Sequence, residues 1–306
     1  MLREHEMDIY EGDAPPTKEE IIEGVRGKDV LICLLTDPID AEVIDASPRL
    51  KIIANYAVGI DNIDVKAATE RGISVTNTPG VLTETVADLT WALLMSVARR
   101  IVESDAFMRG GKFKGWAPML MLGSDVHRKT LGIIGAGRIG RAVAARARGF
   151  GMKVLYYSRS RNEEIERSCN ARFVDLQTLL EESDYVSLHT PFNEHTYHLI
   201  GEKELRLMKP SAYLINTARG KCIDERALAR ALKEGWIRGA ALDVFEHEPA
   251  VTPELLELDN VVLAPHIGSA SYETRSKMAV MVAENVRAVL QGVMPPNCVN
   301  PDVWKK

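Results

Sequence analysis

Apolar residues recur along the chain in two patterns, as short continuous runs and as longer segments in which they return every three or four positions. Short runs rich in β-branched residues predict strands, whereas the three-to-four spacing predicts helices. The predicted strands of the first quarter are 29–35, 50–56 and 73–76, and its predicted helices are 18–25, 41–46 and 65–71. Strands that alternate with helices predict a small parallel α/β unit.

Two longer helices are predicted on either side of the middle of the chain, at 83–102 and 271–290. The apolar stripe of the first consists of Val86, Leu89, Leu93, Val97 and Ile101. The second has the same spacing, and Gly292 is placed to end it. Because the two helices bracket the middle of the chain, they are predicted to connect two domains. The first domain is then discontinuous and is completed by the returning tail.

The middle of the chain begins with a strand-like run, a glycine-rich turn, a helical segment and a second run, at 130–134, 135–140, 138–150 and 152–157. The turn reads G-x-G-x-x-G, which between a strand and a helix is typical of a dinucleotide-binding site. Gly135 makes the tight turn, Gly137 lets the backbone approach a pyrophosphate, and Gly140 allows the helix to pack on the strand. The turn is therefore predicted to bind a dinucleotide, with Arg138 and Ile139 at the helix start.

The residues after the second run indicate which dinucleotide is bound. A site specific for NAD carries an acidic residue here, which accepts a hydrogen bond from the ribose 2′-hydroxyl. This chain has Ser158, Arg159, Ser160 and Arg161 instead. Two guanidinium groups and two hydroxyls suit a 2′-phosphate, because arginine offers charge-assisted, fork-shaped donors. NADP(H) is therefore the predicted cofactor, with NAD possible; the alternative for this loop is a solvated basic surface.

Composition narrows the class of protein. The chain has 306 residues and a formal net charge of −5, enough length for two domains. With a pI near 5.9 and no extended basic face, nucleic acid is not an expected partner. The N-terminus has no apolar signal core and no apolar run is long enough to span a membrane, so no membrane association is expected. Four scattered cysteines are typical of a reduced, cytoplasmic protein.

The segment from Ala106 to Val126 is rich in Met, Gly and Trp, yet it shows neither helix nor strand periodicity. An apolar segment of irregular structure usually packs against something. One interpretation is that it contacts a partner subunit of a homodimer. The other is a flap on its own domain, and the residues alone do not separate the two.

Four more strands are predicted after the second arginine of the basic loop, at 185–189, 212–216, 239–244 and 261–264. Polar clusters follow the last three, and they contain Arg219, Glu248 and His266. Because the carboxyl ends of parallel strands meet at one edge of a sheet, we expect these three side chains to lie close together, beside a bound nicotinamide.

The chemistry of these three residues suits reduction of a carbonyl by hydride transfer. Such a reaction needs a proton donor that titrates near neutral pH, and histidine is the usual one. A carboxylate bonded to the imidazole fixes its tautomer, and a guanidinium can hold a substrate carboxylate. A zinc site formed by His189, His195 and His198 is not predicted, because no acidic or cysteine ligands accompany them.

Four motifs together make nearly the whole chain resemble the D-isomer-specific 2-hydroxyacid dehydrogenases. They are Gly-Ala-Gly-Arg-Ile-Gly at 135–140, Leu-Ile-Asn-Thr-Ala-Arg-Gly at 214–220, Leu-Asp-Val-Phe-Glu-His-Glu-Pro at 242–249 and Pro-His-Ile-Gly at 265–268. Within that family, segment 55–64 together with Val-Thr-Asn-Thr-Pro at 75–79 looks most like the glyoxylate/hydroxypyruvate reductases.

The resemblance implies a two-domain α/β fold. A doubly wound Rossmann-type cofactor domain would span 78–268, and a smaller, discontinuous flavodoxin-like substrate domain would combine 1–77 with 269–306. It also implies that Arg219, Glu248 and His266 are catalytic. Val58 and Gly59 would offer backbone N–H groups to the substrate carboxylate. Further cofactor contacts implied in this way are Thr190, Pro191, Thr217, Ala218, Arg219, Asp243, His266 and Gly268, and 110–123 would lie in a dimerisation arm.

The motifs are compatible with several alternatives. Family members usually carry one more strand and helix before the region where this chain starts, so its first sheet is expected to lack a strand or its start to be truncated. No regulatory domain is predicted after Val299, which disfavours the longer phosphoglycerate dehydrogenases. Corepressors of the C-terminal-binding type share the fold and the Arg/Glu/His set, and would make the chain a dinucleotide-sensing interaction protein. Among enzymes, the substrate could be glyoxylate, hydroxypyruvate, D-lactate, 2-ketogluconate or phosphite.

Overall fold

The structure is a computed structural model that describes residues 1–305. It divides into two compact units. Unit 1 comprises Met1–Leu82 together with the tail that begins at Ala270, and unit 2 comprises Thr83–Ser269. Both units are built on parallel sheets, so the predicted α/β class with a Rossmann-type domain and a second domain is confirmed.

Unit 1 contains a three-stranded parallel sheet in the order β1-β2-β3, with β1 at Val30–Cys33, β2 at Ile52–Asn55 and β3 at Ser74–Thr76. Three helices precede or join the strands: α1 at Lys18–Val25, α2 at Ala41–Asp45 and α3 at Val65–Glu70. They bury their apolar sides against one face of the sheet. The helix of the tail, Tyr272–Leu290, covers the other face through Val282, Val286 and Val289.

Short polar caps fix where the helices of unit 1 begin. Thr17 and Glu20 form a reciprocal capping box at α1. The Asp40 carboxylate accepts hydrogen bonds from two amides of α2, and Asp64 accepts one from α3. Each cap satisfies amide groups that have no partner within the helix.

Unit 2 contains a seven-stranded sheet of parallel strands in the order β10-β9-β8-β7-β4-β5-β6. Their bounds are β4 Thr130–Ile134, β5 Lys153–Tyr157, β6 Arg172–Phe173, β7 Tyr185–Leu188, β8 Tyr213–Asn216, β9 Gly239–Leu242 and β10 Val261–Leu263. The strand order reverses between β4 and β7. In open α/β sheets ligands bind at such a reversal, outside the carboxyl ends of the strands.

Helices cover both faces of this sheet. Their bounds are α4 Thr83–Ala98, α5 Ile101–Arg109, α6 Arg138–Ala147, α7 Glu163–Cys169, α8 Leu176–Glu182, α9 Glu202–Leu207, α10 Glu225–Glu234 and α11 Pro253–Leu256. The helices α4 and α6 form one core with the sheet, where Trp91 donates to the carbonyl of Val143 and stacks on Phe150. The helices α8, α9 and α10 form the core on the other face.

One predicted helix was wrong in its extent. The segment 83–102 was expected to be continuous, but α4 ends at Ala98 and Arg100 has a left-handed backbone with φ of 53°. The chain then re-enters a helix at Ile101, whose side chain is exposed rather than part of the core. Neither β6 nor α7 to α11 is predicted from the sequence, because these short amphipathic segments lack a long apolar stripe.

Within residues 1–305, no helix is both long enough and apolar enough to span a bilayer.

Candidate active site

Three loops at the carboxyl ends of neighbouring strands carry the predicted catalytic residues. Arg219 follows β8, Glu248 follows β9 and His266 follows β10, and these strands lie side by side in the sheet. His266 Nδ1 lies 2.8 Å from Glu248 Oε2. No hydrogen bond to His266 Nε2 occurs within residues 1–305. The structure therefore holds the imidazole by one nitrogen and presents the other.

Glu248 is held in its charged form. Burial favours the neutral acid, but the hydrogen bond and charge of His266, the amide of Phe245 and the charge of Arg219 outweigh it and lower the pKa of Glu248. The Phe245 amide donates to Glu248 Oε1 at 2.9 Å, so both carboxylate oxygens are engaged. A carboxylate in this position can fix the tautomer of His266 and stabilise its protonated form.

The backbone of His266 is unusual, with φ of +52°, a region that non-glycine residues adopt only when the surroundings enforce it. Its amide donates to the carbonyl of Asp243 at 2.9 Å. The Asp243 carboxylate accepts from the amides of Ile267 and Gly268 at 2.7 and 2.8 Å. Burial raises the pKa of Asp243 to about 6. Asp243 thus ties the loop of His266 to the end of β9.

The loop of Arg219 is ordered from within and packed against the loop of Glu248. The Asn216 side chain donates to the carbonyl of Arg219 and accepts from the amide of Ala218. Thr217 Oγ1 lies 2.8 Å from Thr90 Oγ1 in α4, and both groups are buried. A Cβ atom at Gly220 would overlap the carbonyl group of Phe245. Only glycine permits this approach, which links the loop of Arg219 to the loop of Glu248.

The glycine-rich turn has the form that a dinucleotide needs. Gly135 has φ of +101°, and a Cβ there would lie 2.7 Å from the backbone of His189 and 2.8 Å from Thr190 N. Thr190 therefore lies beside the turn, just after the end of β7, and Pro191 is the next residue in the chain. Apart from its chain neighbours, no described residue has an atom within 4 Å of the Cβ position at Gly137, which precedes α6. The space in front of this helix N-terminus suits a pyrophosphate, to which α6 presents Arg138 and Ile139.

The two arginines of the basic loop after β5 differ in their contacts. Arg161 donates from Nε and Nη2 to both oxygens of Glu166, at 2.8–3.0 Å. Glu166 also accepts from the Tyr156 hydroxyl at 2.6 Å, and the hydrogen bonds from Arg161 and Tyr156 lower its pKa. Arg159 is exposed, and no hydrogen bond or ion pair to it is found across residues 1–305. Its guanidinium is available to an incoming anion.

Val58 and Gly59 lie in unit 1, in the loop after β2. The side chain of Asn55 donates to the carbonyl of Gly59 at 2.8 Å, and that of Asn77 donates to the carbonyl of Val58 at 2.7 Å. The amides of both residues lack a protein acceptor in the described part of the chain. Two side-chain amides thus fix the loop by its carbonyls and leave its N–H groups available.

Several polar residues near the site escaped sequence analysis. Glu225 is buried at the start of α10 and bonds to the loop that carries Glu248. Glu246, in the same loop, lies 2.6 Å from His198 Nε2. A cavity of about 810 Å³ adjoins this pair, but none of Arg219, Glu248 and His266 lines it.

The three histidines weighed as metal ligands do not come together as a site. His189 is half-buried, with its Nε2 2.9 Å from Ser187 Oγ, and desolvation of the ring lowers its pKa to about 3. His198 is occupied by Glu246. Among residues 1–305, no group of three His, Cys, Asp or Glu side chains is arranged to hold a metal ion.

The chain is similar to several known proteins in sequence and in structure. Residues 91–268 match the model of the D-isomer specific 2-hydroxyacid dehydrogenase NAD binding domain. A glyoxylate reductase from Korarchaeum cryptofilum is 61% identical over 308 residues, which cover 99% of this chain and 92% of that protein. Two solved structures are also similar. A protein from Thermus thermophilus has a TM-score of 0.92 at 48% identity, covering 97% of this chain and 94% of the other. An NADPH-dependent glyoxylate/hydroxypyruvate reductase from Sinorhizobium meliloti, in complex with NADP and malonate, has a TM-score of 0.83 at 35% identity. The match covers 90% of this chain and 85% of the other.

Proposed function

The chain belongs to the D-isomer-specific 2-hydroxyacid dehydrogenases, and we propose that it reduces glyoxylate and hydroxypyruvate with NADPH as the preferred cofactor. The observation that carries this proposal is the His266–Glu248 pair beside the loop of Arg219, at the carboxyl edge of a nucleotide-binding sheet. Enzymes of this family are oxidoreductases that use a nicotinamide dinucleotide. That the similar proteins are glyoxylate reductases supports glyoxylate as the substrate.

Each catalytic side chain has a role that follows from its chemistry. The nicotinamide ring, when bound, supplies the hydride that reduces the carbonyl carbon. His266 donates a proton from Nε2 to the carbonyl oxygen, so that the product is a hydroxyl rather than an alkoxide. Glu248 stabilises the imidazolium before the transfer and keeps Nδ1 protonated after it. Arg219 binds the carboxylate of the 2-oxoacid and polarises its carbonyl.

The remaining site assignments are part of the same proposal. We assign the substrate-binding role to unit 1, where the amides of Val58 and Gly59 would donate to the substrate carboxylate. Unit 2 is assigned to the dinucleotide, through the glycine-rich turn, the basic loop, and the residues around Thr190, Thr217 and Asp243. Support for NADP(H) over NAD comes from the exposed Arg159 and from the absence of an acidic residue in the basic loop.

A panel of substrates with both cofactors tests this function directly. We expect oxidation of NADPH with glyoxylate and hydroxypyruvate, a lower kcat/KM with NADH, and weaker activity with pyruvate, 2-ketogluconate and phosphite. Turnover of D-lactate or phosphite above that of the two reductase substrates would reassign the substrate within the family. A protein that binds NADPH but turns over none of these compounds would instead act as a dinucleotide-sensing interaction protein.

The proposed assembly is a homodimer that forms through the segment from Ala106 to Val126, whose first residues form the end of α5. No residue of α5 is buried. Trp116 and Met119 are 84% and 76% exposed, and Phe113 and Leu122 are also exposed. The end of the segment is tied to the end of α4, since the Ser124 amide donates to the carbonyl of Ala98. An apolar arm of this kind suits a two-fold contact with a second copy.

The four cysteines are free thiols, which supports a cytoplasmic location.

Replacing Trp116 and Met119 together by glutamate is expected to convert the dimer to a monomer, because the charges would be buried unpaired at the contact. Size-exclusion chromatography with light scattering measures the mass. The matched control is Val293→Glu, which alters an exposed apolar residue of the tail. A wild-type monomer, or an unchanged dimer in the double variant, would contradict the assembly.

A further inference from the structure

Glu225 is a buried acid that the proposed reaction does not use. It is the first residue of α10, and only 2% of its surface is exposed. An ionised side chain buried this deeply is costly unless its oxygens are fully hydrogen-bonded. The hydrogen-bond partners of Glu225 therefore indicate the role of its side chain.

Within residues 1–305, the side-chain partners of Glu225 all lie in the loop that carries Glu248. Its Oε1 accepts from the amide of Glu246 at 2.6 Å. Its Oε2 accepts from the Thr252 hydroxyl at 2.6 Å and from the Thr252 amide at 3.3 Å. One carboxylate thus holds the segment from Glu246 to Thr252 at both ends, and Glu248 lies between the two attachments.

The same end of the segment is held from the other direction. Glu246 Oε2 accepts from the Glu225 amide at 3.4 Å, and Glu246 Oε1 lies 2.6 Å from His198 Nε2. Phe245, one residue earlier, donates to Glu248 Oε1 and packs against Gly220. The position of Glu248 relative to His266 therefore depends on the segment that Glu225 anchors.

We propose that Glu225 is a positioning residue for the reaction, acting on His266 through Glu248 by fixing both ends of the segment 246–252. This inference rests on the proposed function for the roles of Glu248 and His266. The charged groups that face His266 are Glu248 and Asp243, and the charge of Arg219 acts on Glu248.

The test compares Glu225→Gln, Glu248→Gln and the double variant. Glutamine keeps one acceptor oxygen but turns an NH₂ group toward backbone donors, so the segment should lose one attachment. We expect kcat for 2-oxoacid reduction to fall about tenfold in Glu225→Gln, since small misplacements of a catalytic group have effects of this order or larger. The KM for NADPH should be unchanged. In the Glu248→Gln background the same substitution should add little further loss, because both act through one carboxylate.

The titration of His266 gives a readout that does not require turnover. Histidine NMR spectra, assigned by comparison with His266→Gln, should show its titration midpoint displaced in the same direction by Glu225→Gln and by Glu248→Gln, without a further displacement in the double variant. This separates failure of the inference from failure of the proposed substrate. If the wild type turns over no 2-oxoacid but the variants show these displacements, the proposed function is refuted and the positioning role of Glu225 is retained.

Two further variants guard against a purely structural effect. Thr252→Val removes one donor to Glu225 while keeping the shape of the side chain, and it should reproduce the kcat loss and the displacement to a smaller degree. Glu254→Gln, an exposed acid just beyond the segment, is the matched control and should change neither. Independent, multiplicative losses from Glu225→Gln and Glu248→Gln, or lower thermal stability with normal kcat and normal His266 titration, would overturn the proposal.

Discussion

Replacing His266 by glutamine is expected to slow both 2-oxoacid reduction and 2-hydroxyacid oxidation by roughly 10²–10⁴-fold in kcat, the usual contribution of a well-placed acid or base. Glu248 Oε2 lies 2.8 Å from Nδ1 of the ring, which leaves Nε2 for the proposed exchange of a proton with the substrate. Glutamine has polar atoms at a similar distance but cannot exchange a proton. Steady-state kinetics in both directions measures the loss, and fluorescence titration with NADPH should show nearly normal cofactor binding.

The pH dependence of the wild type should identify the same group. Reduction consumes a proton from the imidazolium, so its rate should fall as rising pH removes that proton. Oxidation needs the neutral ring as a base, so its rate should rise over the same range. Because the pKa of Glu248 is lowered, its carboxylate stays charged throughout that range.

Glu248→Gln is the companion variant. It removes the charge that stabilises the imidazolium, so its loss should be smaller than that of His266→Gln and its reduction limb should move to lower pH. Near-normal turnover of His266→Gln with an unaltered pH profile would remove His266 from the reaction.

The edge of the sheet on which the site is built could be predicted from sequence for a simple physical reason. Parallel strands place their carboxyl ends together, so polar residues that directly follow buried strands must be neighbours if the strands are. Glu248 and His266 meet as this argument requires. The family prediction from the motifs is also confirmed. The order of the strands, which decides whether the loops adjoin, came only from the structure.

Interactions between distant, ordinary-looking residues could not be predicted. Glu225 stands in the first turn of a helix, where acidic residues are common because they complement the helix dipole. Nothing in its local sequence indicates that Thr252, 27 positions later, bonds to it. In the same way, the bond between Arg161 and Glu166 joins a loop to a helix and has no periodic pattern.

The break after α4 shows a different limit. The apolar stripe predicts a helix as far as Ile101, because periodicity records which residues are apolar and not what covers them. The structure turns the chain at Arg100, and Ile101 and the rest of α5 are left without a core of their own. Where apolar residues serve an interface, as proposed for this arm, the pattern of a core and that of a contact surface look alike.

Cofactor preference should depend mainly on one of the two arginines in the basic loop. The sequence predicts that both read the 2′-phosphate, but only Arg159 is uncommitted, since Arg161 forms a two-point contact with Glu166. Arg159→Ala should raise the KM for NADPH by roughly 10- to 150-fold, the equivalent of about 1.5–3 kcal/mol for a charge-assisted contact. Its effect on NADH should be small, because NADH has no 2′-phosphate. Kinetics with both cofactors measures the difference.

The role of Arg161 follows from its partner. To bind the phosphate, Arg161 must leave or share Glu166, which is mostly buried and also held by Tyr156. Arg161→Ala should therefore raise the KM for NADPH less than Arg159→Ala does. Glu166→Gln weakens the competing contact and should increase selectivity for NADPH over NADH. Arg172→Ala, at an exposed arginine of β6, is the matched control for loss of positive charge. If Arg159→Ala weakened NADPH and NADH equally, the loop would bind the dinucleotide without reading its 2′-phosphate, and the preference for NADPH would have to be abandoned.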